Sequence, residues 1–302
     1  MKKLILFLVI LVGIAGVLLL TGKSNRENVK GKIRVSASFY PLAHFAEQAG
    51  GNKIDVVQIL PMGIEPHDFE PSPSDIGRIY NSNLFIYNGA GFEPWADKIV
   101  DDLEGKGVVI LKMSDYFDLL KTDKDKTVTD PHVWVDPVNA KREMELISEA
   151  LIKIDKSNEN YYQEKSHEYI SKLDILNKEM IVGLGDCSRN EIIVSHNAFS
   201  YLSKRYNFQT LSIAGISPDQ EPSPRSIGET AKLAKEKNIK YIFFETLVSP
   251  KLSETLAKEV GAKTLVLNPV ESLTSEEIAQ NKDYISLMED NIINLKLALS
   301  CK

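Results

Sequence analysis

Three of the five histidines lie in settings that suit a metal ligand. His67 and His132 each lie in a loop bracketed by prolines, and His196 closely follows the apolar residues 192–194, at the carboxyl end of an expected strand. Rigid loops and strand ends are where proteins hold binding residues. Each imidazole taken singly could equally be a hydrogen-bonding surface group. Together the three predict a His₃ site for a divalent ion.

The fourth ligand of such a site is predicted to be a carboxylate. An ion held by three neutral imidazoles lacks charge compensation, and a closed tetrahedral site has four protein ligands. Two glutamates near the ends of expected strands are candidates, Glu245 and Glu271, and their spacing does not choose between them. A site that kept a water in the fourth position would instead belong to a zinc hydrolase, with one of these glutamates as general base.

The remaining histidines and the cysteines are assigned structural roles. His44 and His167 fall inside predicted helices with no second ligand in sequence reach, so we interpret both as helix-face residues. Two cysteines are too few for a four-cysteine zinc or iron–sulfur site. We predict a disulfide between Cys187 and Cys301, since the chain end benefits from such a staple in an oxidising compartment.

Charge and missing motifs exclude several function classes. The 302 residues contain 36 Lys and Arg against 42 Asp and Glu, a formal charge of −6, which disfavours nucleic acid as a partner. The sequence contains no phosphate-binding Gly-Lys-Ser/Thr loop, no Gly-x-Ser-x-Gly elbow and no His-Glu-x-x-His motif. Nucleotide-binding and serine-hydrolase functions are therefore weakly supported.

The first residues are typical of an exported protein. Lys2 and Lys3 precede an uncharged apolar run from Leu4 to Leu20, which predicts that residues 1–22 are a signal peptide or an N-terminal membrane anchor. No cysteine follows closely, so a lipid-modified N-terminal cysteine is not expected. Residues 23–32 are polar and are predicted to be a tether.

The rest of the chain predicts an α/β fold in two lobes, each a mostly parallel sheet flanked by helices. Short β-rich runs alternate with helical patterns in residues 33–157 and again in 186–302. Residues 158–182 contain no Gly or Pro, and their apolar spacing predicts one long helix, so we assign 158–185 to a linking helix.

The two halves also echo each other. The sequence Glu-Pro-Ser-Pro occurs at residues 70–73 and 221–224, an offset of 221 − 70 = 151, and strands expected at Leu84 and Tyr241 are offset by 241 − 84 = 157. Similar offsets favour two related lobes. A ligand is then expected in the crevice between them, at the carboxyl ends of the strands.

Four segments in this order resemble the zinc and manganese receptors of ABC importers: residues 66–75, 130–137, 195–199 and 215–224. The resemblance runs from about Lys32 to Lys302. It implies two α/β lobes joined by one long helix, with the metal bound between them. The family's receptors are not enzymes: they capture an ion outside the cytoplasm and deliver it to a membrane permease powered by a separate cytoplasmic ATPase.

The resemblance also implies a ligand set. The family's two first-lobe ligands correspond to His67 and His132, and its third to His196, where manganese-selective members typically have Glu. Zn²⁺ is therefore the implied ion, with Mn²⁺ as the alternative. Many relatives have Asp as fourth ligand where this chain has Asn268, whereas some zinc-binding relatives use a later Glu of the same loop. That Glu corresponds to Glu271, which we predict as the fourth ligand, with Glu245 as second choice.

The implied setting is the periplasm or the outer face of the cell membrane. We expect a monomer, held to the membrane by its N-terminal segment if that segment is not cleaved. A surface adhesin or a metal buffer without a permease is a further alternative that the chain leaves open. The stretch from Lys121 to Asp130 lacks the histidine-rich loop that many zinc receptors carry at this point.

Overall fold

The computed structural model describes residues 31–122 and 128–302, and the chain from Ile33 onward forms one compact unit. The predicted signal or anchor at 1–22 and nearly all of the tether at 23–32 lie outside the described residues. Among the helices of the described ranges, none combines the length and the apolar character that crossing a bilayer requires.

The first lobe is built on four parallel strands, whose apolar side chains are buried in the centre of the sheet and partly buried at its edges, because helices cover both faces. The strands are β1 (Ile33–Ala37), β2 (Ile54–Gln58), β3 (Leu84–Tyr87) and β4 (Val109–Lys112), in the order β2-β1-β3-β4. Its helices are α1 (Tyr40–Gly50), α2 (Pro73–Tyr80), α3 (Pro94–Asp97), α4 (Val100–Gly105) and α5 (Pro137–Ile154).

One long helix, α6 (Glu159–Leu184), joins the lobes. Its 26 residues span about 39 Å at 1.5 Å per residue. The helix runs where the sequence lacks Gly and Pro, and it ends beside Gly183 and Gly185. Its buried side chains, Tyr162, Tyr169, Leu173, Leu176 and Met180 among them, belong to the largest apolar cluster, which contains residues of both lobes.

The second lobe repeats the first. Its strands β5 (Glu191–Val194), β6 (Gln209–Ser212), β7 (Tyr241–Phe244) and β8 (Lys263–Val266) are parallel and take the order β6-β5-β7-β8. Its helices are α7 (Ser200–Tyr206), α8 (Pro224–Glu236), α9 (Lys251–Val260), α10 (Ser275–Ala279) and α11 (Tyr284–Leu299). The predicted fold class is confirmed; the exact domain boundaries stay a prediction.

The repeated Glu-Pro-Ser-Pro segments have the same structural role in both lobes. Ser72 caps α2 by accepting a hydrogen bond from the Asp75 backbone N–H, and Ser223 caps α8 by accepting one from Ser226. A proline follows each cap at the first helical position, where its missing N–H costs nothing. The echo in the sequence therefore reflects two equivalent helix starts.

Equivalent positions can also be assigned at the strand ends. The N–H groups of Ile59 and Leu60 donate to the carbonyls of Ala37 and Ser38, each at 2.9 Å. In the second lobe, Ile213 and Ala214 donate in the same way to Val194 and Ser195, at 2.9 and 2.8 Å. Ser38 and Ser195 are therefore equivalent residues. Each serine follows the strand that has its successor in sequence on one side and the next strand on the other, β1 in the first sheet and β5 in the second. At such a switch point a crevice forms beyond the carboxyl ends of the strands.

A disulfide between Cys187 and Cys301 ties the chain just after α6 to the chain just after α11, as predicted. The closed loop spans 114 residues in sequence. The bond lies at the amino-terminal side of β5, whereas the crevice lies beyond the carboxyl end of that strand.

Candidate metal centre

Four side chains from four separate loops converge between the lobes. His67 lies between β2 and α2, His132 between β4 and α5, His196 directly beyond β5, and Glu271 between β8 and α10. Their candidate ligand atoms all lie within 4.8 Å of one another. The structure thus brings together the four residues that the sequence analysis selected.

The convergent atoms are the three imidazole Nε2 atoms and Oε1 of Glu271. Oε1 lies 3.6 Å from His67 Nε2, 3.4 Å from His132 Nε2 and 3.7 Å from His196 Nε2. His132 Nε2 lies 3.3 Å from His67 Nε2 and 3.4 Å from His196 Nε2. Oε1 is buried and has no hydrogen-bond partner of ordinary geometry among the described residues.

These separations fit a tetrahedral ion. Ligand atoms at about 2.0 to 2.2 Å from a central Zn²⁺ define a tetrahedron with edges of about 3.3 to 3.6 Å. Five of the six separations between these atoms run from 3.3 to 3.7 Å, nearly the same range, and the sixth, between His67 Nε2 and His196 Nε2, is within 4.8 Å. The orphaned carboxylate oxygen and the three inward Nε2 atoms therefore fit a divalent ion with three nitrogen ligands and one oxygen ligand.

Carboxylates on the far side of two imidazoles fix which nitrogen faces the centre. His132 Nδ1 donates to Asp130 Oδ1 at 2.9 Å, and His196 Nδ1 donates to Glu245 Oε1 at 2.6 Å. The same Glu245 oxygen accepts a hydrogen bond from Ser195 Oγ. Such partners set the tautomer and raise the basicity of the ligating nitrogen. Glu245, the second choice as fourth ligand, thus lies behind His196, and Glu271 lies at the centre.

The loop that carries Glu271 is held in a strained conformation. Val270 has a φ of 60°, a left-handed value that costs a β-branched residue about 1 to 3 kcal/mol. The Val270 N–H donates to Asn268 Oδ1 at 2.8 Å, and Asn268 exchanges backbone hydrogen bonds with the Asn291 side chain. Trp134 Nε1 donates to the Pro269 carbonyl at 2.8 Å. Asn268 therefore shapes the loop instead of joining the cluster.

Burial and mutual contact shift the pKa values of the four clustered side chains. Burial raises the pKa of the Glu271 carboxyl, but the three surrounding imidazoles outweigh it and hold that pKa well below the usual value. Burial lowers the pKa of His196, yet Glu245 and Glu271 raise it to about 10. Burial lowers the pKa of His67, against the opposing effect of Glu271. A carboxylate at the centre is thus kept ionised, as a metal ligand must be.

Aromatic rings enclose the first-lobe side of the centre. Phe92 packs edge-on against the His67 ring with centroids 4.8 Å apart, and Trp134 packs against His132 at 5.3 Å. Phe39 joins them, 5.0 Å from Phe92 and 4.6 Å from Trp134. His132, His196 and Glu271 are almost fully buried. Water is largely excluded, which strengthens electrostatic attraction to a bound cation.

The His67 loop reaches across to the second lobe at one point. The Gly63 N–H donates to Ser272 Oγ at 2.9 Å, and Gly63 adopts a φ of 78° that glycine tolerates without strain. Met62 and Ile64 on either side are exposed. Sequence reasoning did not find Ser272 or Phe92, because neither is adjacent to a histidine in the chain.

The other two histidines do not belong to the centre. His44 lies in α1, is buried, and its Nε2 is 2.8 Å from the hydroxyl of Tyr169. His167 lies on the exposed side of α6. Both are in helices as predicted, although His44 faces the interior.

Comparison with known proteins identifies relatives that are named for zinc uptake or zinc binding. The model of the family described as "Zinc-uptake complex component A periplasmic" matches residues 35–298. The high-affinity zinc uptake system protein ZnuA of Bacillus subtilis is 37% identical over 292 residues, covering 93% of this chain and 92% of that protein. The zinc-binding lipoprotein AdcA of Streptococcus pneumoniae is 34% identical over 98% of this chain, which spans only 61% of AdcA.

A solved structure of a zinc-bound relative has the same fold. The Zn(II)-bound ZnuA-like domain of Streptococcus pneumoniae AdcA superimposes with a TM-score of 0.80 at 35% identity, covering 89% of this chain and 99% of that domain. These relatives are named for zinc uptake or zinc binding. The resemblance drawn from the four sequence segments is confirmed.

Proposed function

The chain belongs to the ZnuA family of zinc-uptake components, and on that premise we propose that it captures Zn²⁺ outside the cytoplasm and delivers it to an ABC importer. It acts as a receptor and not as an enzyme. Its ligands are His67, His132, His196 and Glu271.

One observation carries the proposal: three Nε2 atoms and an unpartnered carboxylate oxygen converge at the spacing of a zinc tetrahedron. A hydrolase would keep the fourth position for water. Here Glu271 Oε1 occupies the fourth corner, so the same three histidines serve capture better than hydrolysis.

The donor set supports zinc over manganese. Imidazole-rich tetrahedral sites suit Zn²⁺, whereas Mn²⁺ prefers carboxylate, carbonyl and water oxygens in larger number. The apolar rings of Phe92 and Trp134 beside the histidines offer no further oxygen. The names of the relatives favour the same ion.

Delivery involves a membrane permease and its cytoplasmic ATPase, as for other importers of this kind. The relatives' names, a periplasmic component and a lipoprotein, support a location outside the cytoplasm. We propose that the protein works there as a monomer, in the periplasm or at the outer face of the membrane.

A chelator-competition titration of the purified full chain with Zn²⁺ and with Mn²⁺ tests the capture step. We expect one tight Zn²⁺ per chain, lost in His196→Ala and strongly weakened in Glu271→Ala. His167→Ala is the matched control, because this exposed histidine lies outside the centre, and its affinity should equal that of the native chain. Tighter binding of Mn²⁺ than of Zn²⁺, or Zn²⁺ binding indifferent to Glu271, would contradict the ligand set.

Transport in a reconstituted importer tests delivery. Zinc-loaded protein should support ATP-dependent uptake into vesicles that contain the permease and ATPase of the same source, and His196→Ala should not. Zinc that binds tightly but is never transported would indicate a buffer or an adhesin.

A further inference from the structure

A cavity whose lining includes a buried guanidinium nitrogen lies in the first lobe, away from the metal centre. Its volume is about 410 Å³, and it lies between helix α2 and the sheet face formed by β1 and β2. The groups that matter for binding are polar: Arg34, Ser36, Asp55, Ser74, Asn81 and Ser82. Charged and hydroxyl side chains in such a position are unusual, because the interface between a helix and a sheet normally carries an apolar core.

Arg34 is the unusual group in this cavity. Its Nε atom is buried without a hydrogen-bond partner, and within residues 31–122 and 128–302 the guanidinium forms no ion pair. Its backbone is engaged by Asn83, whose Oδ1 accepts from the Arg34 N–H at 2.9 Å and whose N–H donates to the Arg34 carbonyl at 2.7 Å, but its side chain is not engaged by any described residue. An arginine that is partly buried without an anion carries an uncompensated desolvation cost. Its donors are available to a ligand.

The second lobe holds an apolar residue at the position of Ser36. Ser38 and Ser195 are equivalent, so two residues earlier Ser36 corresponds to Ile193. Ile193 is fully buried in an apolar cluster with Ile242 and Leu256. Ser36 is also buried, but the described residues supply no partner for its hydroxyl. The polar lining is therefore a departure from the related lobe.

We propose that this cavity binds a small oxyanion, a phosphate or carboxylate group. The guanidinium of Arg34 offers a planar fork of N–H donors that matches two oxygens of either group, and the Ser36 hydroxyl adds a third donor. Arg78 on α2 also lines the cavity, but it is exposed and paired with Asp75 at 3.2 Å. Arg34 is the positive group that lacks a partner.

Asp55 is the residue that opposes an anion. It pairs with Arg34 in the register of β1 and β2, yet the two side chains form no ion pair and Asp55 is exposed. Removing its charge should favour an incoming anion. If Asp55 were instead the counter-ion of Arg34 in solution, its removal would destabilise the protein.

Calorimetric titration of the metal-free full chain with sodium phosphate and with sodium acetate, at constant ionic strength, tests the site. We expect saturable binding of at least one of the two anions, and the anion that binds identifies the group. Arg34→Gln should weaken it by about tenfold or more, the loss typical of a charged hydrogen bond. Asp55→Asn should strengthen it. Arg225→Gln, an exposed arginine on the equivalent helix α8, should leave it unchanged.

Zinc affinity serves as the folding control, since Arg34 lies outside the metal centre. It should stay within about twofold of the native value in every variant. Binding of neither anion would overturn the proposal. So would anion binding that survives in a folded Arg34→Gln chain, or an Asp55→Asn chain whose affinity for the anion is lower than that of the native protein.

Discussion

At the scale of single residues, the role of each clustered side chain is decided by what lies behind it. His132 and His196 are each held by a carboxylate at Nδ1, so Nε2 is left for the ion. The sequence predicts the three histidines, because their positions in loops and at a strand end can be read along the chain. It could not separate Glu245 from Glu271, since both follow strands and only the tertiary fold shows which one faces the centre.

Glu245→Gln tests the role of the carboxylate behind His196. An amide oxygen still accepts the Nδ1–H bond but supplies no negative charge, so zinc affinity should fall about tenfold to a hundredfold, as for other outer partners of ligating histidines. Competition with a chelator measures this zinc affinity. Glu254→Gln on the exposed side of α9 is the control and should bind as the native chain does. An unchanged Glu245→Gln affinity would mean that His196 is oriented without this carboxylate.

His44 predicts a loss of stability in acid. Burial lowers its pKa from 6.5 to about 4, so the unfolded chain takes up the proton first as pH falls. The contribution of neutral His44 to stability is full above about pH 6.5 and falls as pH drops. By pH 4 the loss amounts to about 3 kcal/mol of unfolding free energy.

Denaturant unfolding of the native chain and of His44→Phe across this pH range checks the loss. The difference in unfolding free energy between them should shift by about that amount in favour of the variant at low pH. His167→Phe, at an exposed helical position, should follow the native profile. A difference that is constant with pH would show that His44 is not buried in its neutral form.

At the scale of elements, the buried strands and the long helices were the most predictable features. The central strands β3, β5 and β7 are short, mostly apolar runs in parallel sheets, a pattern that depends on local sequence and burial. The loop at residues 268–274 was less predictable. Its shape depends on Asn291 and Trp134, which are distant in sequence, and on the left-handed conformation of Val270.

Helix α5 contains a buried acid that costs stability. Both oxygens of Glu143 lack a hydrogen-bond partner among the described residues, and burial raises the pKa of its carboxyl well above the usual value. The folded state therefore holds the proton that the unfolded state loses above about pH 4.5, and stability falls as pH rises from there.

Glu143→Met should raise the unfolding free energy by about 1 to 3 kcal/mol at neutral pH, since it removes an unpaired buried group with little change in volume. The gain should shrink towards pH 4. Glu149→Met on the exposed side of the same helix should change stability by less than about 0.5 kcal/mol. A destabilised Glu143→Met would indicate that the carboxyl group is satisfied in solution.

At the scale of the whole molecule, the His132 loop is fastened to the second lobe. Tyr201 donates to the Asp130 carbonyl at 2.8 Å, Tyr284 donates to the Trp134 carbonyl at 2.6 Å, and Arg205 pairs with Asp136. The loop of His67 crosses through one hydroxyl: Ser272 Oγ accepts from the Gly63 N–H at 2.9 Å and donates to Met62 Sδ at 3.9 Å. We therefore expect binding and release of the metal ion to move the His67 loop more than the lobes. This agrees with the small hinge motion that one continuous linking helix allows.

The disulfide should affect stability without affecting the metal centre. Replacing both Cys187 and Cys301 by Ser should lower the unfolding free energy by about 2 to 4 kcal/mol, because the unfolded chain regains the freedom of a long loop. Zinc affinity should be unchanged, since the bond lies at the opposite end of β5 from His196. Reductant should weaken the native chain and leave the double variant unaffected. A loss of zinc affinity in the double variant would show that the bond also positions the site.

The origin of the four proposed ligands in four distant loops sets an order of events during biosynthesis. His67 and Glu271 are separated by 271 − 67 = 204 residues, so no cage exists until the second lobe has been made and has folded against the first. A chain in which only the first lobe has folded offers at most the pair His67 and His132, and two ligands hold zinc more weakly than four. Zinc occupancy thereby reports completed folding. Free zinc at a hundred times its dissociation constant would raise the unfolding free energy by about 2.7 kcal/mol, and only for correctly assembled molecules.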